Sequence, residues 1–249
     1  VKDVKVLAPE RVVPMKIDQR DAYAILQKWL PSSFWRPSDL AQQAVVEKMT
    51  PVFVPYWVFS AQTFTYWTAD TSQTPLGARG DWFPMAGEHR GEYRGLLVGA
   101  SGSLTPGETS ALCPFDLTEG VSPEQVDLTN VVYEPFQVQR KYARPLAQRG
   151  FEELIGRDCR QYVPGNCRNL KVNVRVENLT GEPVLLPLYI MAYRYKGQVY
   201  RFLVNGQTGR CTGTAPTSYV KIAVAVAIVL AILLGIMLCG GLGAAMFGR

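Results

Sequence analysis

Histidine is almost missing from these 249 residues: His89 is the only one, so no second imidazole is present to complete a zinc or triad constellation. Cysteine is scarce. Cys113, Cys159, Cys167, Cys211 and Cys239 are an odd number without one C-x-x-C pair, which excludes a zinc ribbon and a disulfide framework. Only Cys159 and Cys167 are spaced to meet across a loop, and the set reads as reduced thiols. The glycine-rich stretch Gly99 to Gly107 lacks the Gly-Lys-Ser/Thr ending of a phosphate-binding loop, and no Gly-x-Gly-x-x-Gly opens a helix. Excess charge is small as well. With 26 Lys+Arg against 21 Asp+Glu, the net +5 disfavours a nucleic-acid binder, which would carry a clustered basic face. The expectation is a chain with no cofactor, no metal and no enzymatic activity. The first residues, Val1-Lys2-Asp3-Val4-Lys5, show no secretory pattern of basic stretch, apolar run and small cleavage site, so the N-terminal domain is expected in the cytoplasm.

What the chain does have is a charge-free C-terminus. Ile222 to Gly248 is 27 residues without one charged side chain, and about 20 apolar residues suffice for a membrane helix. Arg201, Arg210 and Lys221 precede this run and Arg249 alone follows it, the asymmetry that leaves the N-terminal side cytoplasmic. The expected domains are therefore a cytoplasmic domain over 1–218 and a transmembrane helix over 219–248. The expected location is the inner (cytoplasmic) membrane, crossed once. Ala223, Ala227, Ala231, Gly235, Cys239 and Gly243 recur every four residues as a stripe of small side chains, which lets another membrane helix approach closely.

The fold class read from the rest is α+β, with a mixed or antiparallel sheet. Asp18 and Asp21 open a helix with Ala22, Tyr23, Leu26, Trp29 and Leu30 on one face, and Ser38 caps a second with Leu40, Ala41, Ala44, Val45 and Met49 inward. Thr50 to Ala61 reads as a strand covered on both faces, and Thr68 to Arg94 as a long loop or loose hairpin. Ser122-Pro123 with Gln125 marks a short helix. Arg140 to Asp158 is a basic helix with Tyr142, Leu146, Leu154 and Ile155 inward. Leu170 to Glu177 alternates strictly, and Pro183 to Tyr195 and Gln198 to Val204 follow as strands, with a turn at Asn205-Gly206. Pro51 to Phe59 and Pro183 to Met191 echo each other, and Pro14-Met15 and Pro135-Phe136 echo upstream of them. This suggests a duplicated strand–helix–strand unit, over about 11–67 and 132–204, packed sheet against sheet.

From Phe136 to Arg168 seven cations outnumber three acids. Arg140, Lys141, Arg144 and Arg149 on the basic helix are therefore candidate contacts for anionic lipid headgroups or an acidic partner, joined by the aromatics Trp82 and Phe83. Arg79-Gly80-Asp81 and Asn178-Leu179-Thr180 spell an adhesion tripeptide and a glycosylation acceptor, and both are discounted on the cytoplasmic side.

The run from Leu186 to Gly209, with its Tyr193-Arg194-Tyr195-Lys196-Gly197 and Asn205-Gly206-Gln207-Thr208-Gly209 segments, joins Val54 to Phe59 and Val13 to Ile17 in a wider pattern. With these residues the chain resembles the bacterial zinc-ribbon membrane proteins often mislabelled as related to the primosomal helicase. The likeness covers about Arg11 to Lys221. It implies a membrane protein of no assigned activity, and it does not carry zinc binding over, because the paired C-x-x-C knuckles are absent. The segment around Cys159 to Arg168 also departs from the Asp-Ile-Gly-Gly-Asp-like stretch of that group, and helicase activity is excluded with the phosphate loop. The reading that emerges is a non-enzymatic, single-span accessory or scaffold subunit of a larger membrane complex, for example an energy-transducing one, contacting other integral membrane subunits through the stripe. The alternative is a nucleic-acid-associated factor tethered to the membrane, for which basic residues and aromatics on a sheet would serve.

Overall fold

The computed structural model describes residues 7–126 and 131–247, with side chains described as far as Gly235 in the last helix. The elements run β1 (Arg11–Val12), α1 (Gln19–Trp29), α2 (Leu40–Gln43), β2 (Val45–Thr71), β3 (Phe83–Gly99), α3 (Pro106–Leu112), β4 (Val132–Tyr133), α4 (Arg140–Arg160), β5 (Cys167–Tyr195), β6 (Gln198–Asn205), β7 (Cys211–Gly213) and α5 (Tyr219–Phe247). They build one seven-stranded, mostly antiparallel sheet in the order β3-β2-β5-β6-β7, with β1 beside β5 and β4 beside β2. The chain divides into two compact units, one of Val1–Asp18, Thr50–Ile190 and Leu203–Thr212, the other of Gln19–Met49, Met191–Phe202 and Gly213–Arg249.

In the first unit the short parallel strands cross over. Arg11 and Val12 pair with Val184 and Leu185, while Val132 and Tyr133 pair with Val52 and Phe53. The echoing prolines make the two arrangements equivalent bond by bond. The N–H of Ala100 donates to Pro55 O (3.0 Å), and that of Gly206 to Pro187 O (2.9 Å). Gln137 and Val138 then donate their N–H groups to Ala100 O, as Lys16 and Ile17 donate theirs to Gly206 O. Trp57 Nε1 donates to Val138 O and Tyr189 Oη to Ile17 O, both at 2.8 Å. These pairings are edge to edge within one sheet, and not face to face between two.

One core lies between the sheet and α4, where Ala143, Ala147, Phe151, Ile155 and Cys159, four residues apart, cover Trp57, Phe59, Ala61 and Trp67. A second gathers Val13, Val54, Tyr56, Leu112, Leu186 and Leu203. The Asn205 turn beside it is buried and fully bonded. Asn205 Nδ2 donates to the carbonyls of Leu112 (2.9 Å) and Pro114 (3.2 Å), and its Oδ1 accepts the N–H groups of Gln207 (2.8 Å) and Thr208 (3.0 Å). Gln207 Oε1 accepts from the N–H of Asp116, and Gln207 Nε2 donates to Asp116 O and to Glu119 (2.6 Å), which also binds Lys16 Nζ at 2.5 Å. The turn at Asn205–Thr208 is thus a clamp on residues 112–119.

In the second unit, α1 buries Ala22 and Leu26, Trp29 packs on Phe202 at 4.7 Å, and the Arg36 guanidinium lies 3.7 Å over Trp29. Asp39 caps no helix N–H. Its carboxylate accepts from Tyr195 Oη (2.7 Å) and Lys196 (3.0 Å), which hold its pKa below the usual carboxylate value. Lys196 and Gly197 both take positive φ, the two-residue turn that joins β5 to β6. Lys221 Nζ donates to the carbonyls of Phe34 (3.0 Å) and Arg36 (2.8 Å), anchoring the start of α5.

Several expectations are corrected. Among the described residues no helix is long and apolar enough to cross a membrane, which overturns the single-span α+β membrane architecture, the membrane keywords and the inner-membrane location. Ala223, Ala227, Ala231 and Gly235 are exposed on α5, nothing lies within 4 Å of a Cβ built on Gly235, and Cys239 and Gly243 fall outside the described side chains. The second expected helix stops at Gln43, because Val45 to Met49 already belong to β2. Of the two readings of Thr68–Arg94, the hairpin holds and the long loop does not: β2 and β3 pair antiparallel there, and Trp67, Ala69 and Thr71 are buried while the residues between them are more exposed.

Asn205→Ala is expected to destabilise the protein by about 2–4 kcal/mol, because it leaves two carbonyls and two N–H groups without partners; chemical denaturation of the variant against the parent measures it. Lys16 and then Gln207 hold the Glu119 carboxyl below its usual value, and Thr118 does the same for Asp116. Depressed folded values mean that this stabilisation is complete above the unfolded pKa values near 4 and is lost as pH falls through the folded ones. The denaturation midpoint should therefore drop on acidification below about pH 4, and Glu119→Gln should make that drop shallower.

Candidate docking surface

Three segments of the first unit enclose an open trough of about 810 Å³: the end of β3 from Tyr93 to Gly99, residues 101–117 around α3, and the middle of α4 from Leu146 to Leu154. Leu96, Leu97, Leu104, Phe115, Leu146 and Leu154 supply its apolar lining, and Arg94, Arg149 and Glu153 stand among the lining residues as charges. Each wall has a local cause. Thr105 accepts the N–H of Glu108 while the Glu108 carboxylate accepts the N–H of Thr105, a complete capping box that starts α3 at Pro106. The Tyr56 hydroxyl, whose pKa burial pushes up to about 12, ties α3 to β2 through Thr109 at 2.7 Å. Across the trough, a Cβ on Gly150 would lie 3.0 Å from Leu96 Cδ2, so this glycine is what allows α4 to sit so close to β3.

That close approach also settles which side of α4 faces inward. Of the four residues expected there, only Ile155 is buried; Tyr142 is 62% and Leu146 51% exposed, leaving Leu146 free to line the trough. Arg140, Lys141, Arg144 and Arg149 are exposed on the same helix, and no ion pair among the described residues uses them. Trp82 and Phe83 do not join them. Phe83 opens β3 opposite Thr71, at the strand end away from Leu96, and Trp82 lies 4.2 Å beneath the Arg168 guanidinium. Both are half-buried.

His89 lies in β3, and it is bonded on both nitrogens. Tyr93 Oη donates to Asp158 (2.6 Å), which leaves its oxygen to accept from His89 Nε2 (3.0 Å), and His89 Nδ1 (3.1 Å) then accepts from Tyr162 Oη. Burial, followed by the bond to Asp158, holds the Tyr93 phenol well above the ordinary tyrosine value. A Cβ on Gly91 would meet Tyr93 at 2.6 Å and His89 at 3.1 Å, so the spacing of glycines along β3 makes room for these rings. The chain of bonds fastens the C-terminal end of α4 to the hairpin. Cys159 and Cys167 are both free.

The trough was not singled out in the sequence. Its one local signal is Thr105-Pro106-Gly107-Glu108, a capping-box pattern at the end of the glycine-rich stretch.

Tyr93→Phe is expected to lower stability by about 1–3 kcal/mol, since it removes the donor to Asp158 and the acceptor for His89 together. The denaturation midpoint checks this, and the loss should be much smaller in a His89→Ala/Asp158→Ala background.

No family model matches the chain, and no solved structure matches it. It is similar to an uncharacterized protein of Bacillus subtilis, YdjG, with 23% identity over 228 residues, 87% of this chain and 66% of that protein. The chain thus spans about two thirds of that relative's length.

Proposed function

We propose that this chain is a non-catalytic accessory or scaffold protein that docks an amphipathic, acidic segment of a partner protein in the trough beside α4. The observation that supports this reading is one juxtaposition: an open, largely apolar trough of about 810 Å³ whose α4 wall carries Arg149, on a helix that also exposes Arg140, Lys141 and Arg144. Apolar side chains of the partner would leave water in the trough, at about 25 cal/mol per Å² of buried surface. The cations would steer and orient its carboxylates.

A photo-cross-linking amino acid at Leu146, in the full chain in its native cells, tests this. The expected result is one discrete adduct with one protein, lost when Arg144→Glu and Arg149→Glu are added. No adduct, or an adduct indifferent to those reversals, would overturn the reading.

A second reading has one observation in its favour. Phe64 and Tyr66 lie edge to face, 4.8 Å apart, on the side of β2 turned away from α4, and Arg90 stands 4.7 Å over Phe64. Bases could stack on such rings. Carboxylates share that face, however, since Arg94 is bridged to Glu92 and Arg175 to Glu177, and they would repel phosphates. Steeply salt-dependent binding of a fluorescent single strand, lost in Tyr66→Ala, would favour the nucleic-acid reading over the first.

A further inference from the structure

β3 is the terminal strand of the sheet, and among the described residues its only strand neighbour is β2. From Phe83 to Tyr93 it runs against Ala61–Thr71 without irregularity, and the register breaks only where Phe59 and Ala61 pair with Leu96 and Tyr93. A proline is tolerated within a strand where its missing N–H faces away from the neighbour. Pro84, opposite Asp70, therefore marks the even-numbered residues of β3 as those whose backbone groups point out of the sheet. The same even-numbered positions carry exposed side chains of alternating sign: Glu88, Arg90, Glu92 and Arg94.

An unpaired strand edge is a template for another strand, and charged side chains along it commonly oppose such pairing. Alternating charges do the reverse when the added strand is a second copy running antiparallel. A two-fold axis through Gly91 sets Glu88 opposite Arg94 of the second copy and Arg90 opposite Glu92 of the second copy, so four ion pairs form across one seam. Moving the axis to Arg90 or Glu92 sets like charges against each other, and moving it to His89 keeps Glu88 with Arg90 but leaves Glu92 facing Ala86.

We infer that two copies of this chain associate edge to edge through β3, antiparallel and centred on Gly91, extending one sheet through both. The surface is self-complementary, as a closed two-fold interface requires. The bridge between Arg94 and Glu92 within each copy, 2.7 Å long, joins the cross-strand pairs into one network.

Sedimentation equilibrium of the full chain, under reducing conditions with a non-ionic detergent to shield the exposed apolar side chains of α5, tests the inference. The parent protein should show a concentration-dependent doubling of mass that weakens with salt. Glu92→Arg opposes two arginines twice in the seam and should raise the dissociation constant at least about tenfold. The double variant Arg90→Glu/Glu92→Arg restores every sign relation between those two positions and should return the constant to within about threefold of the parent. A parent that stays monomeric at every concentration would overturn the inference. So would a dimer that Glu92→Arg leaves intact, since that dimer uses another contact or the His89-centred register. Both side chains changed, Arg90 and Glu92, are exposed, and circular dichroism of each variant confirms that folding is unaffected.

Discussion

Everything in the first unit is arranged around the crossing of its two short strands. A two-residue strand has too few bonds to hold itself in place. β1 and β4 persist because each continues into a second anchorage, the carbonyl of Gly206 for Lys16 and Ile17, the carbonyl of Ala100 for Gln137 and Val138. Those two carbonyls lie just beyond the ends of β6 and β3, and their own N–H groups are bonded to Pro187 and Pro55. Each proline presents a carbonyl while lacking an N–H, so the chain entering each helix is locked to the long strand of the other half. Where α4 starts, and hence where the trough opens, follows from that lock.

The buried polar turn at Asn205 shows how a sequence pattern that looks functional can be structural. Asn205 and Gln207 are among the few buried polar residues, and their side-chain amides meet carbonyl and N–H groups of a segment with little regular structure. Burial makes unmet partners costly there, which is reason enough for those residue types. The clamp also holds residues 112–119 in position as the far wall of the trough.

Much of the architecture was legible. The alternation at Leu170 to Glu177, the turns at Lys196-Gly197 and Asn205-Gly206, and the echo of Pro51 to Phe59 in Pro183 to Met191 all correspond to features of the sheet. Apolar character alone does not mark the inward face of α4. Ala143, Ala147 and Gly150 face β3 because close approach demands small side chains, and the larger Tyr142 and Leu146 are left outside. Between Thr68 and Arg94 the content of Gly, Asp, Arg, Thr and Pro suits a loop as well as a hairpin, and only the burial of residues such as Thr71 under a helix decides for strands, where a β-branched residue is at home.

Local chemistry in the sequence by itself determined the alternating strands, the capped start of α3, the tight turns and the excess of cations on α4, because each depends on residues near one another in the chain. Only the tertiary structure decided that α4 lies against β3, that His89 meets Tyr162, 73 residues away in the chain, that an apolar trough opens beside Arg149, and that β3 ends the sheet. Those are matters of which surfaces meet, and they depend on side-chain size and on backbone groups that pair across more than a hundred residues.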